Sequence, residues 1–452
     1  MTLLFISSQI KIKISDLSQD QLDEIIYGCT VKNKSYEDNL AIQGYNRADE
    51  VAEYEVYDIV GKYIYIPRGF LYTLMDILPS VEIEWDTILH EKIDLTYKEY
   101  MEHRDYQLEA VETMFEYTEG ILSAPTASGK TNIMIQLMQK LSLPTLILVH
   151  RNHLLKQWRE RIKKYLGYEP GIIGEGKFKV KNITIAMIPT LHANPDRIEK
   201  IKDRFSVLMI DECHHVPAYT WLSNICRIRA HHIYGCTATT VRKDQLQKLM
   251  FLAIGPVRHV MSEGTSNGAV IDPTIIAVRT SFVGFPTFTR KDFTKLMPAL
   301  VIDDNRNKLI TTMIAMEPER YHLVLSDRIA HLDYLKMLLD KIGIKSEMVI
   351  GSVPIKDRQE IFERVANGKI HVLFATSLAD EGLDIPILDR LHLTFPTSNP
   401  NRNMQQIGRI RRPHPNKKDA IVYDYWDWQQ NTLSKQFNNR RAKYRSNRWK
   451  IK

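Results

Sequence analysis

A chain of 452 residues is too long for one hydrophobic core and should divide into two or three domains. Its 44% hydrophobic and 25% charged residues are the balance of an ordinary globular protein, which leaves out disordered and fibrous chains, and a formal charge of +7 suits a polyanionic partner without demanding one. Four cysteines without short, even spacings argue for a reduced cytoplasmic protein, the N-terminal LLFI is too short for a signal-peptide core, and no later run approaches the ~20 apolar residues of a membrane span.

Residues 1–95 read as a small α+β accessory domain. QIKIKI (9–14) alternates like a half-buried strand, Ser18 and Gln21 make a capping-box pattern, and KYIYIPRGFLYTLMDIL (62–78) reads as strand, turn and helix. From 96 to about 260 come five strand-length apolar runs, GILSA, TLILV, ITIAM, SVLMI and HHIYGCTAT, with helical patterns between them. A second series starts near Tyr321 with YHLVLSD and continues through RIAHLDYLKMLLDKIG, SEMVIG, IHVLFAT, RLHLTF and AIVYDYW. Strands alternating with helices predict parallel sheets covered on both faces, hence two doubly wound α/β domains in tandem, 96–260 and 261–452. The proline-bearing stretch 256–305 reads as a connector holding the last element of the first and the first of the second.

From Asn431 to Lys452 there are eight Lys or Arg residues and no acid, interleaved with Phe437, Tyr444 and Trp449. Two readings stand side by side: a solvated terminal helix and tail, or a phosphate-tracking surface with aromatics for stacking.

GILSAPTASGKT (120–131) has the order strand, tight loop, Gly-Lys-Thr, helix. In such a loop, backbone N–H groups and the positive helix end wrap phosphate oxygens, Lys130 reaches the β- and γ-phosphates and the Thr131 hydroxyl holds Mg²⁺. Ala124 stands where the usual pattern has its first glycine, and Ala127 where a loop glycine is frequent.

MIDECHHVPAY (209–219) crowds carboxylates, a thiol and imidazoles together. If 206–210 is a buried strand, Asp211 and Glu212 emerge at its carboxyl end beside the phosphate loop, Asp211 to order Mg²⁺ and Glu212 to orient and deprotonate water. A zinc site is disfavoured by spacing: twelve residues separate Cys213 from Cys226 and nine separate Cys226 from Cys236, so there is no short knuckle. His231, His232 and Cys236 belong to a run that reads as a strand, which turns successive side chains to opposite faces.

These residues resemble a superfamily 2 DExH helicase from Arg104 to the C-terminus. RDYQLEAV (104–111) is similar to the adenine-recognition segment, SAPTASGKT to motif I, VHRNHLLKQW (149–158) to motif Ia, and MIPTL (187–191) to the next nucleic-acid-contacting motif. DECH (211–214) resembles motif II, TAT (237–239) motif III, VLSDR (324–328) motif IV, ATSLADEGLDIP (375–386) motif V and QQIGRIRRP (405–413) motif VI. Within the superfamily, the YIPRGF segment ahead of the motor, the form of motif VI and the basic end look like the phage UvsW-like group, with XPB-like DNA helicases as relatives. RKD (242–244) departs from the Arg-Glu-Asp of XPB-like proteins.

The resemblance implies two tandem RecA-like domains with ATP and Mg²⁺ as ligands. Arg104 and Gln107 would contact the base; Ala127, Ser128, Gly129, Lys130, Thr131 and Asp211 the phosphates and Mg²⁺; Gly382 and Asp384 the ribose and phosphate end. Lys130, Glu212, Arg409 and Arg412 would carry catalysis, the arginines reaching the γ-phosphate when the two domains close. Arg409 to Arg412 could also be a solvated basic face, since Arg411 lies among them. His214, Thr237 and Thr239 would couple hydrolysis to DNA. Arg151, Thr190, Ser326 and Thr376 would touch backbone phosphates, so binding should be sequence-independent and salt-sensitive. The implied activity is that of a monomeric, ATP-dependent DNA helicase or translocase on branched DNA, with no membrane partner; an RNA-directed DExH helicase and an ATP-switched clamp that never unwinds remain as alternatives.

Overall fold

The computed structural model describes residues 2–33, 36, 51–99, 104–125, 128–215, 227–238, 246–261, 270–287, 290–376, 385–397 and 399–452. The chain divides into two units, Met1–Pro125 with Gly129–Thr265, and Thr126–Ser128 with Ser266–Lys452.

The accessory part opens with β1 (Thr2–Ile6), β2 (Gln9–Lys13) and α1 (Gln19–Gly28), followed by β3 (Asp58–Val60), β4 (Tyr63–Pro67), α2 (Leu71–Ile77) and β5 (Val81–Trp85). Its sheet runs β3-β4-β2-β1-β5, with β5 parallel to β1. Period-two alternation puts Leu4, Ile6, Ile10, Ile12, Ile64 and Ile66 on one fully buried face. The expected capping box is present, Gln21 N–H donating to Ser18 Oγ at 3.2 Å and Ser18 N–H to Gln21 Oε1 at 3.0 Å.

The sheet ends at Trp85, ten residues before the boundary expected at 95. Residues 86–99 run instead as a strap over the following domain: Ile88 N–H donates to Arg229 O, Ile93 N–H to Ser142 O and Lys98 N–H to Tyr165 O. YIPRGF is the second attachment. Arg68, 1% exposed, donates to Ala230 O at 2.5 Å and His231 O at 2.9 Å, and its Nε lies 3.4 Å from the Glu119 carboxylate. At Gly69 an added Cβ would collide with the carbonyl oxygens of Phe251 and Leu252, so only glycine allows this approach. One continuous apolar core holds both Leu4 of the accessory sheet and Ile210 of the next domain.

That domain contains α3 (Asp105–Phe115), β6 (Glu119–Ser123), α4 (Lys130–Leu141), β7 (Thr145–Val149), α5 (Asn152–Leu166), β8 (Gly171–Gly174), β9 (Lys177–Lys179), β10 (Ile183–Met187), α6 (Ile188–His192), β11 (Val207–Asp211), β12 (His232–Thr237), α7 (Gln247–Ile254) and β13 (Val257–Val260). The strand order is β9-β8-β10-β7-β11-β12-β6-β13, parallel except for the β8–β9 hairpin. All five predicted runs are strands; the hairpin is an addition.

The second unit contains β14 (Thr274–Arg279), α8 (Arg290–Val301), α9 (Asp304–Ala315), β15 (His322–Leu325), α10 (Ile329–Lys341), β16 (Ser346–Val349), α11 (Ile355–Ala366), β17 (Val372–Ala375), β18 (Arg390–Leu393), α12 (Pro400–Arg409), β19 (Ile421–Trp426), α13 (Asn431–Ser446) and β20 (Lys450–Ile451). Its sheet is wholly parallel, in the order β16-β17-β15-β18-β19-β14-β20. The basic C-terminal stretch is helix α13 and an edge strand. Phe437, Tyr444 and Trp449 are 1%, 0% and 6% exposed, so these aromatics pack against the sheet and are not free to stack on bases.

Candidate active site

Strand β6 delivers the chain to the phosphate loop. Ala124 is buried and donates its N–H to Thr237 O at 2.9 Å. Gly129 caps α4 at φ +86, and a Cβ there would collide with the Gln107 amide. Glycine is favoured by its left-handed backbone, and any Cβ there would also make the Gln107 amide shift. Gln107 is placed by the start of α3, where Arg104 N–H donates to its Oε1 at 3.4 Å; the Arg104 guanidinium donates to Tyr106 Oη at 3.0 Å. Lys130 Nζ lies 3.2 Å from Glu212 Oε1 and donates to Ala124 O at 3.4 Å. Thr131 follows it in the first turn of α4, and Ser128 precedes Gly129; Ala127 lies outside the described residues.

Asp211 ends β11 and is held from three directions. Its Oδ2 accepts Trp158 Nε1–H at 2.7 Å; its Oδ1 accepts Glu212 N–H at 2.9 Å and the Cys236 thiol at 3.3 Å. Three of a carboxylate's four lone-pair sites are thereby filled, leaving one on Oδ2. Burial, then the adjacent Glu212 charge, push the Asp211 carboxyl above its usual range. Glu212 has φ +48, a left-handed conformation unusual outside glycine and typical of functional sites. Desolvation works against its carboxylate, but Lys130 and His214 outweigh it and hold Glu212 well below the usual range. For Lys130 the balance is the same: desolvation would lower it, and Glu212 raises it above the ordinary lysine value.

His214 Nδ1 is 3.2 Å from Glu212 Oε2 and 2.8 Å from Thr237 Oγ1. Lys130, Glu212, His214 and Thr237 therefore form one connected chain of polar contacts from the phosphate loop to the end of β12. Thr131 and Asp211, with the glycine cradle between α3 and α4, form a donor set of hydroxyl and carboxylate oxygens that fits Mg²⁺ arriving with a nucleotide.

The cysteines of the opening cluster point elsewhere. Cys213 packs on Met250, with Sγ 3.6 Å from Sδ, and fills the space left by Gly235. Burial holds the thiols of Cys213 and Cys236 far above the range in which a metal-binding thiolate forms. His231 sits against Trp85 and Thr87, and His232 against Tyr234. Cys226 and RKD (242–244) lie outside the described residues.

In the second unit, Arg409 and Arg412 are half-buried at and just beyond the end of α12. Arg411 between them is 3% exposed, pairs with Asp272 at 3.2 Å and lies over the Trp449 ring. The middle arginine is thus a packing residue, which removes it from the solvated-face reading. Gly382, Asp384 and Thr239 lie outside the described residues. Arg151 caps α5 and Thr190 sits half-buried on α6, both next to the carboxyl ends of strands. Ser326 is 2% exposed; its Oγ is 3.0 Å from His331 Nδ1 and accepts Arg328 N–H at 3.2 Å, which ties it into the turn before α10. Thr376 is also buried, and its Oγ1 has no partner among the described residues.

Residues 100–242 match the family described as type III restriction enzyme, res subunit, and residues 305–414 match the helicase conserved C-terminal domain, together more than half of the chain. The chain is a superfamily 2 helicase. As a helicase of this superfamily it is an ATP-hydrolysing enzyme that works on nucleic acid. It is 25% identical over 368 residues to the DNA 3'-5' translocase XPB2 of Sulfurisphaera tokodaii, a match spanning 72% of this helicase and 82% of the relative. Its fold matches the Hef helicase domain of Pyrococcus furiosus with a TM-score of 0.53 at 15% identity, over 75% of this chain and 98% of that one. T4 UvsW aligns along 100% of this helicase and 98% of its own chain at 18% identity, with a TM-score of 0.43, too low to rest anything on. No described helix is long and apolar enough to cross a membrane.

Two residues of the site were not singled out by motif reading. Trp158 closes the motif Ia segment, yet its bond to Asp211 joins positions 53 apart in sequence. Arg411 sits at an unassigned place inside motif VI, and only its burial separates it from its neighbours.

Proposed function

We propose that this helicase is an ATP-driven DNA translocase that unwinds or branch-migrates branched DNA, such as forks and Holliday junctions, in recombination, repair or replication. The observation that carries the motor reading is the unbroken contact chain Lys130–Glu212–His214–Thr237, which ties the group that orients water to the motif III strand end. Residues 96–260 serve as the ATP-binding RecA-like domain and 261–452 as the second. Lys130 binds the β- and γ-phosphates, and in doing so exchanges the Glu212 carboxylate for phosphate oxygens. Glu212, released from that ion pair, orients the attacking water and takes its proton. Mg²⁺, held by Thr131 and Asp211, would neutralise phosphate charge. Arg409 and Arg412 stabilise charge on the γ-phosphate as hydrolysis proceeds. Arg151, Thr190, Ser326 and Thr376 hold the strand through its phosphates.

DNA is preferred over RNA because the relative at 72% of this chain and 82% of its own length is a DNA translocase, whereas the relative named a putative RNA helicase is covered over a smaller share, 66%, of its length. The branched-DNA reading rests on the UvsW-like form of YIPRGF and motif VI. Buried free thiols at Cys29, Cys213 and Cys236 suit a reducing cytoplasm, the host's if a phage encodes the chain. We take the acting species to be a monomer.

The test is ATPase rate with forked DNA, Holliday junction, linear duplex and RNA, read beside strand displacement on each. Stimulation and displacement strongest on the junctions are expected. Equal activity on RNA would favour an RNA helicase, nucleotide-dependent binding without displacement would favour a clamp, and no stimulation by any nucleic acid would remove the motor. Lys130→Ala should abolish hydrolysis, and Glu212→Gln should keep ATP binding while losing at least ~100-fold in turnover.

A further inference from the structure

Helix α13 and the edge of the second sheet line an open groove of about 560 Å³ whose lining includes Arg279, Trp426, Phe437, Arg441 and Arg445 and no acidic residue. Arg279 and Trp426 are cross-strand partners at the last positions of β14 and β19. Phe437 stacks on the Trp426 ring at 4.8 Å, and the Arg279 guanidinium lies 5.1 Å from the same ring, so the indole fixes a cation at the mouth. Arg441 and Arg445 follow Phe437 at successive four-residue steps along α13, which carries all three to the same side of the helix. Among the described residues none of the three guanidiniums has an ion-pair partner.

We propose that this groove is an additional nucleic-acid site, taking the sugar-phosphate backbone of a DNA strand outside the helicase motifs; the inference rests on the DNA-motor reading above. A solvated basic face accounts for less. The negative helix end favours cations in the last turn of α13, which explains Arg445 but neither Arg441 nor the strand residue Arg279. Like charges at i,i+4 cost a few tenths of a kcal/mol on an isolated helix, and here no acid relieves them. The groove also lies at the carboxyl end of a wholly parallel sheet, where open α/β folds receive ligands, and Thr376 follows β17 at that same end. Arg441 and Arg445 stand four residues apart along α13, a rise of about 6 Å, a spacing that serves neighbouring phosphates. With Trp426 and Phe437 packed on each other, the groove grips backbone charge and leaves bases unread.

The test is the dissociation constant for forked DNA between about 50 and 200 mM salt, measured on the full chain. R441Q/R445Q should bind about tenfold more weakly at the low-salt end and lose about 1.5 from the slope of log affinity against log salt, since each phosphate contact contributes roughly 0.7 to 0.9. R441K/R445K should recover most of the slope. K435Q/K443Q removes the same charge from exposed positions of the same helix outside the groove lining, and should bind as the parent does. The unfolding midpoint, expected to be unchanged in all three, reports the fold, and R279A provides an independent strand-borne variant. If R441Q/R445Q and R279A keep parental affinity and slope, or K435Q/K443Q loses as much, the groove is not a site although the DNA-motor reading stands. If the parent protein itself neither binds DNA nor is stimulated by it, that reading fails and the groove falls with it.

Discussion

Asp211 shows how much of an active site is built by residues that never meet the substrate. Its Oδ2 is fixed by one indole N–H from α5, and Trp158→Phe would remove that bond while keeping most of the ring volume. Partners that orient a metal-binding carboxylate are typically worth 10- to 100-fold in metal affinity or activity. ATPase titrated with Mg²⁺ should therefore show Trp158→Phe needing roughly tenfold more metal for half-maximal rate. An unchanged Mg²⁺ requirement would reduce Trp158 to core packing. His214 makes a different prediction, because it bridges Glu212 to Thr237. His214→Ala should preserve ATP binding and lower DNA-stimulated hydrolysis about tenfold, the loss of one charge-assisted bond of ~1.4 kcal/mol, while DNA-free hydrolysis falls less. Loss of both rates in equal proportion would make it a structural residue. Lys130, Asp211 and Glu212 were legible in sequence because phosphate chemistry demands a glycine turn, a lysine and strand-end carboxylates at local spacings. Trp158 was not, because it lies on a helix and its partner Asp211 ends a strand 53 residues away.

At the scale of elements, the strongest forecasts were those in which pattern and turn chemistry agreed. The Ser18/Gln21 box, the five apolar runs of the first helicase domain and the strand-turn-helix of YIPRGF all formed where local signals coincided. The β8–β9 hairpin and β20 escaped because short edge pairs, one with Gly at both ends and one of two residues, carry almost no periodic signal. The role of YIPRGF escaped too, since a docking contact is a property of two surfaces. Glu119, at the start of β6, is part of that contact. Its carboxyl is pushed up to about 7 by burial, against the pull of Arg68 and Arg258. A folded value above the unfolded one means that the native state holds the proton more tightly. Its contribution is fully present below about pH 4.5 and is lost as pH rises through 7, a swing of order 3 kcal/mol. Comparison of unfolding free energy at pH 5 and pH 8 should show Glu119→Gln with a correspondingly flatter profile, whatever the offset caused by removing the partner of Arg68. A profile parallel to the parent's would mean that Glu119 titrates normally.

On the scale of the whole molecule, the accessory sheet and the first helicase domain are two folds by topology and one by cohesion. The apolar core runs from Leu4 and Ile64 through to Ile210 and Ile254, while the second unit keeps separate cores around Leu391 and Phe374. Composition could divide the chain by length but could not reveal which neighbours share an interior. Between them the strap offers an exposed stretch at Leu89, His90 and Glu91, although Ile88, Ile93 and Lys98 are tied down by backbone bonds. A single peptide bond cut after Glu91 would thus sever the chain without parting its halves. Fragments 1–91 and 92–452, expressed separately and mixed, should co-elute as one particle and regain ATPase activity. Independent elution of two soluble, folded pieces would contradict the shared interior. The same seam would let an experimenter place different labels on the two fragments, or exchange one of them for a variant, and reassemble the enzyme from interchangeable parts.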